Sequence, residues 1–227
     1  MDFYNKNDTC NISSKQIKGI IDFDIILGIK SINNIVIKNE LMKIIICKKI
    51  NISYNKVEEL LNIPKQIEVF NCGNNLLKKL PELPEGLLYL NIQSNKLTEI
   101  DNLPLNLKYL NCSHNQITKL ENLPTYLTYL DCSTNQISNI DYLPYGLEYL
   151  ICANNYIKHL DCLPNTLVEL DCDSNEIQNL NNLPKSIKLL SCCKNPDIDI
   201  KVLPNIDKLF INKKLDTNLD NIKVILR

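Results

Sequence analysis

Net charge, glycine, histidine and long apolar runs are all scarce in this 227-residue chain, and each shortage removes a class of function. Twenty-five basic residues stand against 26 acidic ones, a net charge of -1. A general attraction to nucleic acid or to an anionic membrane needs a basic surplus, so neither is an expected partner. The longest apolar runs are pieces such as Ile25-Ile26-Leu27 and Ile44-Ile45-Ile46-Cys47, far short of the roughly 20 residues of a membrane-crossing helix. The five glycines form neither a Gly-x-Gly nor a Gly-Lys-Ser/Thr pattern, which excludes the usual phosphate-cradling loops. The two histidines, His114 and His159, approach no cysteine, serine and acid arrangement, so no catalytic residue and no cofactor is expected. The opening stretch, Met1-Asp2-Phe3-Tyr4-Asn5-Lys6-Asn7-Asp8, lacks the basic segment and apolar core of a secretory leader. A cytoplasmic location is the expectation.

What the chain does have is a period. Leu90-Asn91-Ile92-Gln93-Ser94-Asn95-Lys96-Leu97 returns as Leu110-Asn111-Cys112-Ser113-His114-Asn115-Gln116-Ile117, and again as Leu130-Asp131-Cys132-Ser133-Thr134-Asn135-Gln136-Ile137. A fixed repeat of this length is the signature of a solenoid, in which each unit buries its apolar face only by stacking on its neighbours.

From residue 47 to residue 204 the units align without gaps, and each column has a physical task. Ile50, Phe70 and Leu90 to Leu190 form one apolar column, and Ile52, Cys72, Ile92 and Cys112 to Cys192 form another two residues on. An apolar-x-apolar spacing puts both side chains on one face of a strand. Cys47, Ile67 and Leu87 to Ile187 enter the same interior, as do return-side columns starting at Val57, Leu60 and Ile63. The column Asn55 to Asn195 follows each strand where the chain turns inward, and an amide offers a donor and an acceptor to a buried turn. The column Pro64 to Pro204 excludes a full helix from the return side and predicts extended or polyproline-like backbone with at most a short helical turn.

The combination Leu-x-x-Leu-x-Leu/Cys-x-x-Asn-x-Leu/Ile with a following Leu-Pro resembles the leucine-rich repeat family. Within it, Leu80-Pro81-Glu82-Leu83-Pro84-Glu85-Gly86-Leu87 is similar to the short, roughly 20-residue class of bacterial effector proteins. The composition also resembles leucine-rich repeat proteins of giant DNA viruses of amoebae. The resemblance implies an α/β-type solenoid, or horseshoe, with a parallel β-sheet on the concave face, an extended or short 3-10 convex side and little helix. It also raises a ubiquitin ligase with a separate catalytic domain, while imperfect capping at the isoleucine-rich N-terminal edge raises a third reading, a self-assembling structural unit. The chain departs from the ligase pattern by ending shortly after Pro204, so a non-enzymatic interaction module, working as a monomer on another protein, is expected.

A solenoid needs capped ends. Residues 1–46 read as degenerate repeats forming an isoleucine-rich cap, with Lys15 where the asparagine would be. Residues 205–227 read as a second cap. There Ile206, Leu209 and Ile211 slip by one position, Leu219, Ile222 and Val224 repeat their spacing, and Lys223 and Arg227 blunt a closing strand.

Function is expected where the repeat varies. The residues between the apolar strand positions face out of the concave sheet: Tyr89, Tyr109, Tyr129, Tyr149, Glu169 and Leu189 in one column, Asn91, Asn111, Asp131, Ile151, Asp171 and Ser191 in the next, and Gln93 to Cys193 in a third, which includes Asp173. Tyrosines on successive strands form an aromatic stripe of about 15 Å, suited to binding and equally to stabilising the sheet. Asp131, Glu148, Glu169, Asp171 and Asp173 form an acidic zone beside it, flanked by Lys108 and Lys188, which suits a basic and apolar partner or is a solvated mixed-charge face. The in-register cysteines read as small core residues with raised pKa, not as disulfides or a metal site. Cys193, on the opposite face from Cys192, is the first choice if any thiol here reacts.

Overall fold

The computed structural model describes residues 9–22, 47–195, 198, 203–212 and 223–226. The strands are β1 (Thr9–Asn11), β2 (Lys18–Asp22), β3 (Lys49–Asn51), β4 (Lys56–Leu61), β5 (Val69–Asn71), β6 (Tyr89–Asn91), β7 (Tyr109–Asn111), β8 (Tyr129–Asp131), β9 (Tyr149–Ile151), β10 (Glu169–Asp171), β11 (Leu189–Ser191), β12 (Lys208–Ile211) and β13 (Lys223–Leu226). Among the described residues no helix occurs. All except β2 and β4 join one parallel sheet in the order β1-β3-β5-β6-β7-β8-β9-β10-β11-β12-β13, so the fold is a parallel β-solenoid with one strand per turn.

The period sets the register. From β3 to β11 each strand residue pairs with the one twenty further on, as in Ile50↔Phe70 and Leu170↔Leu190. Inside, the column Ile50, Phe70, Leu90, Leu110, Leu130, Leu150, Leu170 and Leu190 is 0% exposed. Burial of each such side chain contributes about 1.5–3 kcal/mol. Every buried cysteine of the neighbouring column is a free thiol packed in this core.

The proline column makes the return corner. From Pro64 to Pro184 each proline carbonyl of the column accepts a hydrogen bond from the amide three residues on, as in Leu87 to Pro84 and Leu147 to Pro144, both 3.1 Å, closing a single β-turn that swings the chain into the next strand. The return side is otherwise extended. In the first turns it pairs as well: β2 and β4 form a two-stranded parallel sheet, with a bulge where the register shifts between Gly19 and Ile20. Gly19 supplies the left-handed φ of 75° needed there.

The asparagine column is a continuous ladder. In each rung the side-chain oxygen accepts the amide of the preceding turn, as Asn75 does from Val57 at 3.0 Å. The side-chain nitrogen donates to carbonyls of both turns, Ile52 at 3.1 Å and Cys72 at 3.0 Å. The residue before each rung, from Tyr54 to Lys194, is left-handed with φ of 52–57°, and none is glycine. The first rung, Asn55, accepts from Ile17, and the turn below it carries Lys15 instead of asparagine.

The sheet passes directly from β1 to β3, with Cys10 opposite Ile50, so this first step spans two periods of sequence. At the other end the expected slip of one is present, Leu190 pairing with Leu209. The next register differs from expectation: Val224, not Ile222, lies opposite Leu209. The difference is two residues, and an even slip leaves the alternation of a strand unchanged, so the apolar pattern does not discriminate between the two. Arg227 lies outside the described residues.

Candidate protein-binding face

The tyrosine column stands on the outward face of the sheet because its residues alternate with the fully buried leucines. Parallel pairing in register brings the rings together. Tyr89 and Tyr109 stack with centroids 4.1 Å apart at 10°, and Tyr109 and Tyr129 at 4.2 Å and 8°. Tyr149 leaves the stack, 6.3 Å from Tyr129 and tilted by 32°. Tyr89 is buried, Tyr109 and Tyr129 are half-buried, and the Tyr149 ring is 38% exposed. Burial pushes the Tyr109 hydroxyl well above the usual tyrosine range, reinforced by the neighbouring Tyr129 and by Asp131. Burial, and next the Asp131 carboxylate, raise Tyr129 too, so these two hydroxyls stay neutral at ordinary pH.

The second outward column carries a duty that column-reading missed. The side-chain oxygens of Asn51, Asn71, Asn91, Asn111 and Asp131 accept the backbone amide two residues on, each at 3.0 Å, and Asp171 does so at 3.1 Å. These bonds cap the end of each strand, and they bury Asn91 and Asn111. Asn111 also donates to Gln93 at 3.1 Å. At β11, where Ser191 has no such oxygen, Asp173 substitutes, accepting from the Cys193 amide and the Ser191 hydroxyl at 2.7 Å each. The outward asparagine-x-serine pattern was the available signal for this cap.

The carboxylates of Asp131 on β8 and of Glu169 and Asp171 on β10 lie beside the tyrosine row, with Asp173 two residues past β10 and Glu148 exposed just ahead of β9. Lys108 and Lys188 are exposed at the equivalent positions ahead of β7 and β11. The ion pairs of the described residues, Lys48–Glu68, Lys119–Glu121 and Lys158–Glu176, leave Asp131, Glu169 and Asp173 out. Ile151 interrupts the cap column between Asp131 and Asp171, with the buried Ala153 after it.

Cys193 is a correction. It is 3% exposed, in a column where Ser53, Ser113 and Ala153 are buried too, so it is not the accessible thiol. Cys162, on the return side, is exposed. The core thiols fit their reading: burial lifts Cys72 to about 12 and raises Cys112, Cys132, Cys152 and Cys172 well above the ordinary thiol range. Among the described residues no group of three or more histidine, cysteine or acidic side chains is arranged to hold a metal.

A second aromatic group went unread. Tyr126, Tyr142 and Tyr145 on the return turns are 64%, 75% and 89% exposed, and Tyr142 and Tyr145 border a shallow cavity of about 530 Å³ with Cys162 and Pro164. Tyr142 stands in a column that is asparagine in four other turns, at residues 62, 102, 122 and 182, and that departure was the signal.

Comparison with known proteins agrees with this geometry. Residues 105–145 match the family described as leucine rich repeats in two copies. YopM from Yersinia enterocolitica is 27% identical over 80% of this chain and 46% of its own length, with a TM-score of 0.64. The YopM effector of Yersinia pestis is 29% identical over 75% of this chain and 55% of its own, with a TM-score of 0.68. A Shigella effector leucine-rich repeat domain is 33% identical over 62% of this chain and 64% of its own, with a TM-score of 0.53. The chain thus spans between about half and two thirds of these proteins' length. No curated protein matches it by sequence. The twenty-residue register, the asparagine ladder and these likenesses together show a leucine-rich repeat fold, with short repeats similar to those of the bacterial effectors.

Proposed function

We propose that this protein is a non-enzymatic interaction module that binds another protein through its concave sheet, as an effector or viral protein acting in a host cytoplasm. The leucine-rich repeat is generally a protein-binding fold, which supports the coarse reading. One observation carries the finer one: a rigid row of tyrosines, ending in the half-open Tyr149, runs into the carboxylates of Asp131, Glu169 and Asp171 on one face. Tyr89, Tyr109 and Tyr129 form the floor of the site, Asn91 and Asn111 its capped border, and Glu148 and Asp173 its acidic rim. Stacked rings present contact area without losing rotamer freedom on binding. Residues 47–204 carry this face, and 1–46 and 205–227 close the ends of a monomer. A cytoplasm suits ten cysteines that form no disulfide.

Truncating Tyr109 or Tyr129 removes sheet packing as well as a contact, so the test uses Tyr149→Ala, with Tyr145→Ala on the return side as its control. Partner capture from host lysate is expected to fall by tenfold or more, on the order of a hot-spot loss, in Tyr149→Ala alone. Circular dichroism checks that both variants are folded. Loss in Tyr145→Ala with full capture by Tyr149→Ala would move the site to the return side.

A further inference from the structure

Strands β8, β9 and β10 differ from the rest of the sheet in a way the fold does not require. The cap at the second outward position is made equally well by asparagine, with bonds of 3.0 Å at Asn71, Asn91 and Asn111, and by aspartate at 131 and 171. The second oxygen and the charge of Asp131 are surplus to that duty. Between Asp131 and Asp171 the cap is abandoned, and Ile151 presents an aliphatic side chain instead.

In-register pairing sets Asp131, Ile151 and Asp171 side by side, which places the two carboxylates about 10 Å apart, two strand spacings. The row ahead of them reads Tyr129, Tyr149, Glu169, and the row behind reads Ser133, Ala153, Asp173. An apolar strip one strand wide is therefore walled by carboxylates on both sides and closed at one end by the exposed Tyr149 ring. A lysine or arginine side chain has this shape in reverse: an aliphatic stem to lie on Ile151 and a cationic head that reaches either wall. The aromatic edge adds attraction for the same charge.

We infer that β8 to β10 form a slot for a lysine or arginine of the bound partner, its stem on Ile151 and its charge between Asp131, Glu169 and Asp171. This rests on the concave-face reading and names the chemistry that face selects.

The probes are short blocked peptides of serine and threonine with one central arginine, and the same peptides with citrulline, the neutral isostere. Followed by the methyl resonances of Ile151 and Ala153, the arginine peptide is expected to give saturable shifts and the citrulline peptide none. The pair Asp131→Asn and Asp171→Asn keeps both caps and is expected to weaken arginine binding about tenfold. Added salt acts in the same direction. Ile151→Lys, which sets a cation of the chain itself in the slot, is expected to abolish it. Equal binding of citrulline, no shift with any peptide, or indifference to the asparagine pair overturns the slot. If Tyr149→Ala loses the captured partner while the asparagine pair keeps it, the concave face stands and the slot falls; if neither matters, both fall.

Discussion

Two columns of amide side chains run the length of this solenoid, four residues apart, and they have been treated differently. The inner column is asparagine at every turn from 55 to 195, while the outer one reads asparagine, aspartate, isoleucine and serine. Both give an oxygen to a backbone amide. The inner oxygen reaches into the preceding turn, as from Asn135 to Ile117 at 2.9 Å, and its nitrogen donates to carbonyls of two turns. The outer oxygen serves the end of its own strand. A side chain that joins turns cannot be exchanged without parting them, whereas one that caps a single strand is free to take on charge or apolar surface. Variation therefore collects in the outer column, where a partner can read it.

The largest effect is expected from an agent that attacks the inside of every turn together. The inner asparagines donate to the carbonyls of the cysteine column, whose thiols burial holds neutral well above their ordinary pKa of 9.0. A thiol with a raised folded pKa ionises first in the unfolded chain. Its stabilising effect is complete below pH about 9 and is lost as pH rises through the folded value, about 12 for Cys72. Each such thiol lowers stability by about 1.4 kcal/mol per pH unit in that window, and five acting together by about 7. The raised Tyr109 and Tyr129 hydroxyls act with the same sign at higher pH. Thermal melts should be level to pH 8.5 and collapse by pH 10 to 11. A melting temperature unchanged at pH 11 contradicts the buried-thiol account.

Next comes a single rung. Asn135→Ala strands the Ile117 amide and removes the donor to Cys112, Cys132 and Ser133. With the groups buried, a loss of about 3–5 kcal/mol is expected in denaturant melts. Asn135→Asp is expected to be as damaging, because a carboxylate then faces three carbonyl oxygens. Mild behaviour of Asn135→Asp would erase the distinction between the columns.

The sequence made the inner column legible because one physical demand, repeated every twenty residues, leaves one residue type. The same logic exposed the strands, the proline corners and the buried cysteines. It was silent where the consequence of a residue depends on its neighbour in space. Tyr89 and Tyr149 share a column, yet one is 8% and the other 38% exposed, because stacking covers the first and the tilt uncovers the second. Cys193 stands at an outward position and is nonetheless buried, as are Ser53, Ser113 and Ala153 at the equivalent place in other turns. The candidate face was thus readable as a list of positions, but not which rings are floor and which are surface. Tyr126, Tyr142 and Tyr145 were passed over since return turns were read as scaffold alone.

The smallest effects belong to the outer column and separate its two duties. Asn111→Ala removes the acceptor of the buried Ser113 amide and hydroxyl, bonds of 3.0 and 2.7 Å. A loss of about 1–2 kcal/mol is expected, less than for a rung because one strand end is affected instead of two turns. Asp131→Asn keeps the equivalent bonds to Ser133, at 3.0 and 2.7 Å, and changes only the charge. Its denaturation midpoint should stay within about 0.5 kcal/mol of the parent, the range of a surface substitution. Removing a carboxylate from beside Glu169 and Asp171 relieves repulsion, so any shift should be toward stability and should shrink in high salt. A clear destabilisation by Asp131→Asn would mean that the charge belongs to the fold after all, and the outer column would lose its standing as the part left open to a partner.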